Sequence, residues 1–421
     1  MNSPKLVFDV VVIGAGNAAL AAAVAAHQHK ARVLVLEKAP YDKRGGNSYF
    51  TDGAIRFAYN SLADIRLIIP EMSDEEAERI ILPPYSVAQY YEDFQRITQG
   101  QTDPILSRTL IQESLPTMLW MQALGIKFEM LYDNQAFKKD GKYRFWGGLV
   151  CKTAGKGIGL INRWFEILGE RGVAVWYDAA ATKIHLHEDG GIQAVSVVRE
   201  GKLITLPTRA VVLACGSYEG SMKKRIANMG PEWEKAILRG TEYNTGDGLD
   251  MALAVGAVPY GDWKHGHAVA TDARAPKVGD FTQPGDIYKK SSYPLGIMVN
   301  KEGGRFVDEG ADFRNYTYAK YGRMVLRQTD ALAYQIFDQH VAHLLRSEYR
   351  EAVCTKYEAD TIAKLAEQLG IDQASFIRTV HEYNQSVQKG AFNPHILDGK
   401  GTIGLPIPKS NWANTLSKPP F

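Results

Sequence analysis

Short, unbroken apolar runs bounded by glycine or charge punctuate this chain, and helical periodicity fills the intervals. Val10–Ile13 and Val33–Leu36 are each long enough for one buried strand. The alanine-rich stretch Ala18–Ala26 between them favours helix. That order is a parallel βαβ unit, because parallel neighbours need a crossover connection. Val173–Tyr177 and Ala210–Ala214 read as further buried strands. Ala181–His187 and Ala194–Val198 pair across Asp189-Gly190-Gly191, a hairpin turn.

Residues 60–130 read mainly helical. Ser73 and Glu76 have capping-box spacing, Asp103-Pro104 sets an N-cap before proline at the first helical position, and Pro116 breaks or kinks the helix begun there. Gly155, Gly157 and Gly159 form a loop entering a helix over Leu160–Leu168, and Asn244–Gly248 opens another over Leu249–Val255. In that second loop Asp247 either accepts from a ligand or caps the helix. Ile297–Asn300 and Arg305–Val307, joined by Gly303-Gly304, predict a hairpin. Asp360–Leu369, stopped by Gly370, and Ile371–Gln388, with Asp372 as N-cap and Gly390 as stop, predict two helices. The fold class is α/β (α+β overall), with a Rossmann-like domain over 1–257 and a second domain over 258–421.

Chemistry enters at the first turn. Gly14, Gly16 and Ala19 have G-x-G-x-x-A spacing directly after the first strand. The first glycine permits a tight turn, the second lets a pyrophosphate approach the backbone, and the small third residue lets the helix pack on the strand. The helix N-terminus then offers N–H groups to phosphate. Glu37, ending the second strand, is placed to accept hydrogen bonds from a ribose. The glycine-rich segment Arg44–Gly53 comes next, where a backbone can wrap a ligand closely.

Composition narrows the field. Net charge is +2 without a basic run, which excludes a general attraction to nucleic acid. Cys151, Cys215 and Cys354 are scattered, so they form neither a metal-spaced set nor a disulfide framework, and they read as buried small apolar residues. The first strand leaves no room for a secretory leader ahead of it, and the helix after it is too interrupted by His27, His29 and Lys30 to span a bilayer. A soluble cytoplasmic protein is expected, with peripheral docking on a membrane partner left open. From Val258 onward, His265, His267, Lys289, Lys290, Arg305, Arg314 and Arg323 are interleaved with aromatics and glycines.

Together, residues 11–23, 36–38, 45–48, 211–216, 246–257 and 297–309 resemble the flavoprotein family of fumarate reductases and succinate dehydrogenases. Residues 45–59, the Trp-Gly-Gly at 146–148 and residues 306–323 look most like its tricarballylate dehydrogenase branch. The resemblance implies FAD, a capping domain inserted into the flavin domain, and cofactor contacts from Gly14, Gly16, Ala18, Glu37, Lys38, Asn47, Ser48, Thr51, Gly53, Ala181 and Asp247. Relatives that tether FAD covalently carry histidine at the place of Asn47. Asparagine forms no such bond, so the flavin is expected to be non-covalent. No metal is implied.

The reaction implied removes two hydrogens from adjacent carbons of a tricarboxylate, tricarballylate giving cis-aconitate. A membrane-bound iron–sulfur or haem protein would accept the electrons. Arg314 matches the proton-transferring arginine of the fumarate reductases, though it sits five residues after Glu309 where four is usual. An ion pair with Asp312 or Glu309 is its other reading. His267 matches a substrate-binding histidine, with His265 as the competing neighbour. Arg56, after the glycine-rich segment, is a further candidate for a carboxylate clamp. A fumarate reductase, a 3-ketosteroid-type dehydrogenase and a non-catalytic flavin-binding protein are the alternatives. The segments that return to the flavin domain in such proteins are not found within residues 1–421, so the sequence resembles a C-terminally truncated member.

Overall fold

The computed structural model describes residues 8–145, 147–283 and 287–421. Trp146 of the Trp-Gly-Gly motif lies outside the described residues. Two compact units divide the chain. One comprises Met1–Ser221, Leu238–Tyr260 and Val278–Asp286; the other comprises Met222–Ile237, Gly261–Lys277 and Ile287–Phe421.

The first unit is built on a six-stranded mixed sheet. Its strands are β1 (Phe8–Ile13), β2 (Val33–Leu36), β3 (Ala174–Trp176), β4 (Ala179–Leu186), β5 (Ile192–Arg199) and β6 (Lys202–Leu213), in the order β4-β5-β6-β1-β2-β3. The stretch β6-β1-β2-β3 is parallel, with Val11 opposite Val211 and Leu34. The stretch β4-β5-β6 is an antiparallel meander. Both faces are covered, which is why Val10–Ile13 of β1 and the whole of β2 are apolar rather than alternating. Val12, Val33 and Val35 face one core with helices α1 (Asn17–Gln28) and α2 (Lys156–Glu170). Val11, Ile13, Leu34 and Leu36 face the other, with Ala179, Ala181, Val195 and Val197.

Ala210–Ala214, expected as a buried strand, is the end of the longer β6, where Ala210 is exposed and Leu213 is 39% exposed. Only Val211, Val212 and Ala214 of that run reach the two cores. The helical reading of 60–130 holds, with helices at Leu62–Ile68, Asp74–Glu78, Val87–Thr98, Pro104–Gln112 and Ser114–Ala123. Ser73 caps its helix, but the Glu76 carboxylate accepts from Tyr132 Oη at 2.6 Å. Asp103 caps as expected, and Pro116 falls in the first turn of a new helix, downstream of the break at Glu113.

Gly157 and Gly159 are not in a loop. They lie inside α2, where a Cβ on Gly157 would sit 2.8 Å from Thr51 Oγ1 and Tyr49 O, and closer still to Ser48 O. Gly157 lets α2 pack tightly on the turn Gly46–Phe50, whereas a Cβ on Gly159 would meet the backbone of Ala154 just before the helix.

In the second unit the predicted hairpin is replaced by another pairing. β7 (Ile297–Val299) pairs antiparallel with β8 (Tyr334–Ile336), and Arg305 makes only an isolated bridge to Val299. Arg305 instead pairs its side chain with Glu309, four residues on. The two late helices form over Ile362–Leu369 and Gln373–Ser386, capped by Thr361 and Asp372; Gly370 ends the first, but the second ends at Val387 before Gly390. Among the described residues, no helix is long and apolar enough to cross a membrane and no metal-binding cluster forms.

Candidate functional site

The carboxyl ends of β1, β2 and β6 open into a cleft of about 970 Å³, open solvent at its mouth included, walled on one side by Ala179 and Ala181 of β4 and by helix α3 (Asp247–Ala254). Ligand sites in open parallel sheets form at this place. Gly14 turns the chain out of β1 with φ +107°, and its N–H donates to Leu36 O at 2.8 Å. A Cβ there would sit 2.7 Å from Cys215 Cα, so only glycine fits. Helix α1 starts after Gly16 with no side-chain cap. Asn17 N donates to Ser48 Oγ at 3.1 Å, and Trp164 Nε1 holds the Asn17 side chain at 2.7 Å. Gly16 and exposed Ala18 thus present an uncapped helix N-terminus to the cleft, as phosphate binding requires.

Glu37 is buried at the end of β2, and its carboxylate accepts from Ala39 N at 2.7 Å. Burial pushes its pKa above the ordinary value, opposed by N–H donors of Ala39 and Ala15. Lys38 Nζ reaches Asp247 Oδ2 and Thr245 Oγ1, both at 2.6 Å. Asp247 therefore does not cap α3: Gly246 is the N-cap, and the carboxylate serves Lys38 and Thr245 instead. Asn47 is fully engaged. Its Oδ1 accepts from Thr241 N at 2.9 Å and its Nδ2 donates to Glu219 Oε1, which also accepts from Asn244 Nδ2 at 2.9 Å.

The cleft thus brings together Gly14, Gly16, Ala18, Glu37, Lys38, Asn47, Ser48, Ala181 and Asp247. Thr51 and Gly53 lie behind it: Thr51 Oγ1 donates to Ser48 O at 3.0 Å and accepts from Gly53 N at 3.2 Å. Asn244 belongs to the glycine-containing loop before α3 that the sequence singles out, whereas sequence reasoning misses Glu219 and Thr241. These two come from loops after β6 and before α3, and the rule that ligands gather beyond strand carboxyl ends points to Glu219. Of the cysteines, Cys151 is buried in the core, whereas Cys215 lines the cleft.

The cationic residues of the second unit that the sequence singles out do not form one cluster around a single acid. Glu309 is fully buried and pairs with Arg305 Nη2 at 2.5 Å, while Met298 N donates to its other oxygen at 2.7 Å. The alternative pairing of Arg314 with Glu309 is thus not made. Arg314 begins helix α4 (Arg314–Leu326), and among the described residues no hydrogen bond or ion pair holds its guanidinium. Loss of solvent, then the nearby charge of Arg346, pulls its pKa down to about 10, with Glu348 opposing. One turn on, Tyr318 Oη meets His267 Nε2 at 2.7 Å. His265 is turned to Asp262 at 2.5 Å. Lys290 is not a solvated surface lysine: it is mostly buried, 3.4 Å from Asp272. Arg56, in the first unit, is committed to structure: its Nη1 reaches Tyr85 Oη at 3.1 Å and Asp93 at 3.6 Å.

The residues of the cleft fit a flavin dinucleotide: a glycine cradle, an uncapped helix start and a terminal acid stand where phosphates and ribose need them. Comparison with known proteins agrees. The chain is 27% identical over 397 residues to the probable fumarate reductase Ifc3 of Shewanella frigidimarina, covering 92% of this chain and 60% of that protein. It is 26% identical to the fumarate reductase (cytochrome) of Shewanella frigidimarina, covering 92% and 62%. A urocanate reductase of Eggerthella lenta is 25% identical, covering 91% and 60%. The chain thus spans about three fifths of the length of these relatives. The fold is similar to the open conformation of a flavocytochrome c3 fumarate reductase (TM-score 0.69, 21% identity, 100% of this chain and 66% of that one). It is also similar to a 3-ketosteroid delta1-dehydrogenase from Sterolibacterium denitrificans (TM-score 0.71, 19% identity, 98% and 86%). The family model described as FAD binding domain matches residues 9–415, and the chain belongs to that family of FAD-binding flavoproteins.

Proposed function

We propose that this chain belongs to an FAD-dependent oxidoreductase acting on a C–C bond between carboxylate-bearing carbons, with a tricarboxylate such as tricarballylate as substrate and cis-aconitate as product. The observation that carries this reading is Arg314, a desolvated guanidinium without an acid partner among the described residues, one turn from the Tyr318–His267 pair. Such a cation matches a planar carboxylate. In this reading the first unit holds the flavin and the second holds the substrate's carboxylates.

When bound, FAD supplies the two-electron hydride chemistry. The Gly14 turn and the α1 N-terminus bind its pyrophosphate, and Glu37 and Lys38 the nucleoside side. Asn47, in place of a tethering histidine, leaves the flavin non-covalent; acid precipitation then releases all yellow colour, and colour kept in the pellet overturns that point. Arg314 orients a carboxylate and moves the proton. Loss of solvent lowers its pKa to about 10, the direction in which a guanidinium gives up its proton more readily. His267, fixed by Tyr318, holds a second polar group of the substrate. The protein works in the cytoplasm and hands electrons to a membrane-bound iron–sulfur or haem partner.

A second reading, reduction of an unsaturated carboxylate such as fumarate, is favoured by the identity to proteins named fumarate reductases. The test is anaerobic. Bleaching of the flavin by tricarballylate supports dehydrogenation. Reoxidation of the reduced flavin by fumarate alone supports the second reading. Response to neither leaves a flavin-binding protein without this activity.

A further inference from the structure

Among the described residues that line the nucleotide cleft, Tyr243 is the one aromatic side chain, and none of the contacts above gives it a task. Its neighbours fix which end of the cleft it serves. Lys38, at the end of β2, holds Thr245 and Asp247, and Thr245 N donates to Tyr243 O at 3.0 Å. Lys43, in the turn Tyr41–Lys43 that follows β2, pairs with Glu242 Oε1 at 3.0 Å. The same ammonium stands 6.0 Å from the centroid of the Tyr243 ring. An exposed ion pair of this kind contributes little energy, but together with the Lys38 bonds it seats residues 242–247 against residues 38–43. Glu37, placed for the ribose, belongs to that stretch. Its carboxylate accepts from Ala39 N at 2.7 Å and its carbonyl from Ala179 N at 2.9 Å. Ala39 and Ala179 line the cleft as Tyr243 does. At the Glu37 end, then, small side chains leave room for a flat ring, and one half-buried aromatic stands by to cover it.

Resting on the dinucleotide reading of the cleft, and on no reading of the substrate, we propose that Tyr243 is the stacking platform for the adenine ring of FAD. Losing a base–aromatic stack weakens binding about five- to 150-fold. Stacking uses the face of the ring and not its hydroxyl, so phenylalanine preserves it and leucine, an aliphatic of substantial bulk, does not. The competing reading makes Tyr243 a filler that only keeps the 242–247 loop in place.

The experiment uses the full chain freed of flavin and titrates it with FAD, by fluorescence quenching, and with ADP, by calorimetry. ADP carries the adenine and pyrophosphate without the flavin. In Tyr243→Ala the Kd values for FAD and for ADP are expected to rise by similar factors, at least about fivefold. Tyr243→Phe should stay within about twofold of the unmodified chain for both, whereas Tyr243→Leu should behave as the alanine variant does. If Tyr243→Leu binds both ligands as tightly as Tyr243→Phe, the ring is a filler and the assignment is overturned. If Tyr243→Ala weakens FAD but not ADP, the ring does not serve the adenine, and the assignment is again overturned. Should urea unfolding show that Tyr243→Ala folds poorly, the phenylalanine and leucine variants decide alone. If the unmodified chain binds neither FAD nor ADP, the dinucleotide reading itself fails, and this assignment falls with it.

Discussion

Gly157 gives the sharpest link between packing and cofactor binding. Alanine is favoured over glycine inside a helix by about 1 kcal/mol. At Gly157, however, the new methyl meets backbone oxygens of Ser48 and Tyr49, which have no flexible tip to move aside. Overpacking of this kind costs about 1–3 kcal/mol. The balance is a destabilisation of up to about 2 kcal/mol. Because the displaced turn carries Asn47 and Ser48 into the cleft, the distortion also reaches the cofactor. If about 1.4 kcal/mol of it is felt there, the Kd for FAD rises about tenfold. Gly169 is the control. It lies near the end of the same helix, exposed, with nothing within 4 Å of a built Cβ. Gly169→Ala should stabilise by up to about 1 kcal/mol and leave FAD affinity unchanged. Urea unfolding of the apoprotein and fluorescence titration with FAD measure both effects. The reasoning is refuted if Gly157→Ala stabilises as much as Gly169→Ala and binds FAD as tightly.

Other substitutions probe separate points. Gly14→Ala adds a steric clash with the Cys215 backbone to a φ of +107°, so apoprotein stability and FAD binding should both fall sharply; a yellow, stable variant is inconsistent with the cradle. Arg314→Lys should cut turnover by about tenfold or more while leaving the bound flavin content intact, read from absorbance after gel filtration. Lys409 is fully buried, its ammonium donating to Pro294 O at 2.7 Å and to Gly296 O, and burial pulls its pKa from 10.5 down to about 8. The native state therefore loses this proton first. Between pH 8 and 10.5 unfolding takes up a proton, so this lysine makes stability rise with pH. Urea midpoints at about pH 7.5 and about pH 9.5 should show that rise relative to Lys409→Met; equal slopes in the two proteins contradict it.

Much of the flavin cleft is legible in the sequence because its parts are local. Gly14, Gly16 and Glu37 lie within one βαβ unit, where chain order and spatial order coincide. Sequence misleads where a residue answers to a distant partner. The capping-box spacing of Glu76 is real, but Tyr132 claims its carboxylate. Asp247 has the look of a cap, yet Lys38, far back in the chain, takes it. Gly157 reads as loop because spacing does not reveal how closely a helix must approach its neighbour. The predicted hairpin at 297–307 fails for the same reason: β8, the true partner of β7, lies beyond helix α4. Arg56 carries charge in a promising position, but local sequence does not disclose that Asp93 and Tyr85 fold against it.

The pairing of β1 with β6 has a consequence for biosynthesis. Strand β1 leaves the ribosome ahead of its neighbour β6, which is made some two hundred residues later, and the last wall of the cleft, at Asp247 and Met251, comes later still. A nascent chain that stops short of that point has the nucleotide-binding turn but nowhere to lodge a flavin. Cofactor loading must therefore come after synthesis of the whole first sheet, and until then the apolar edges of β1 stay open to wrong pairings.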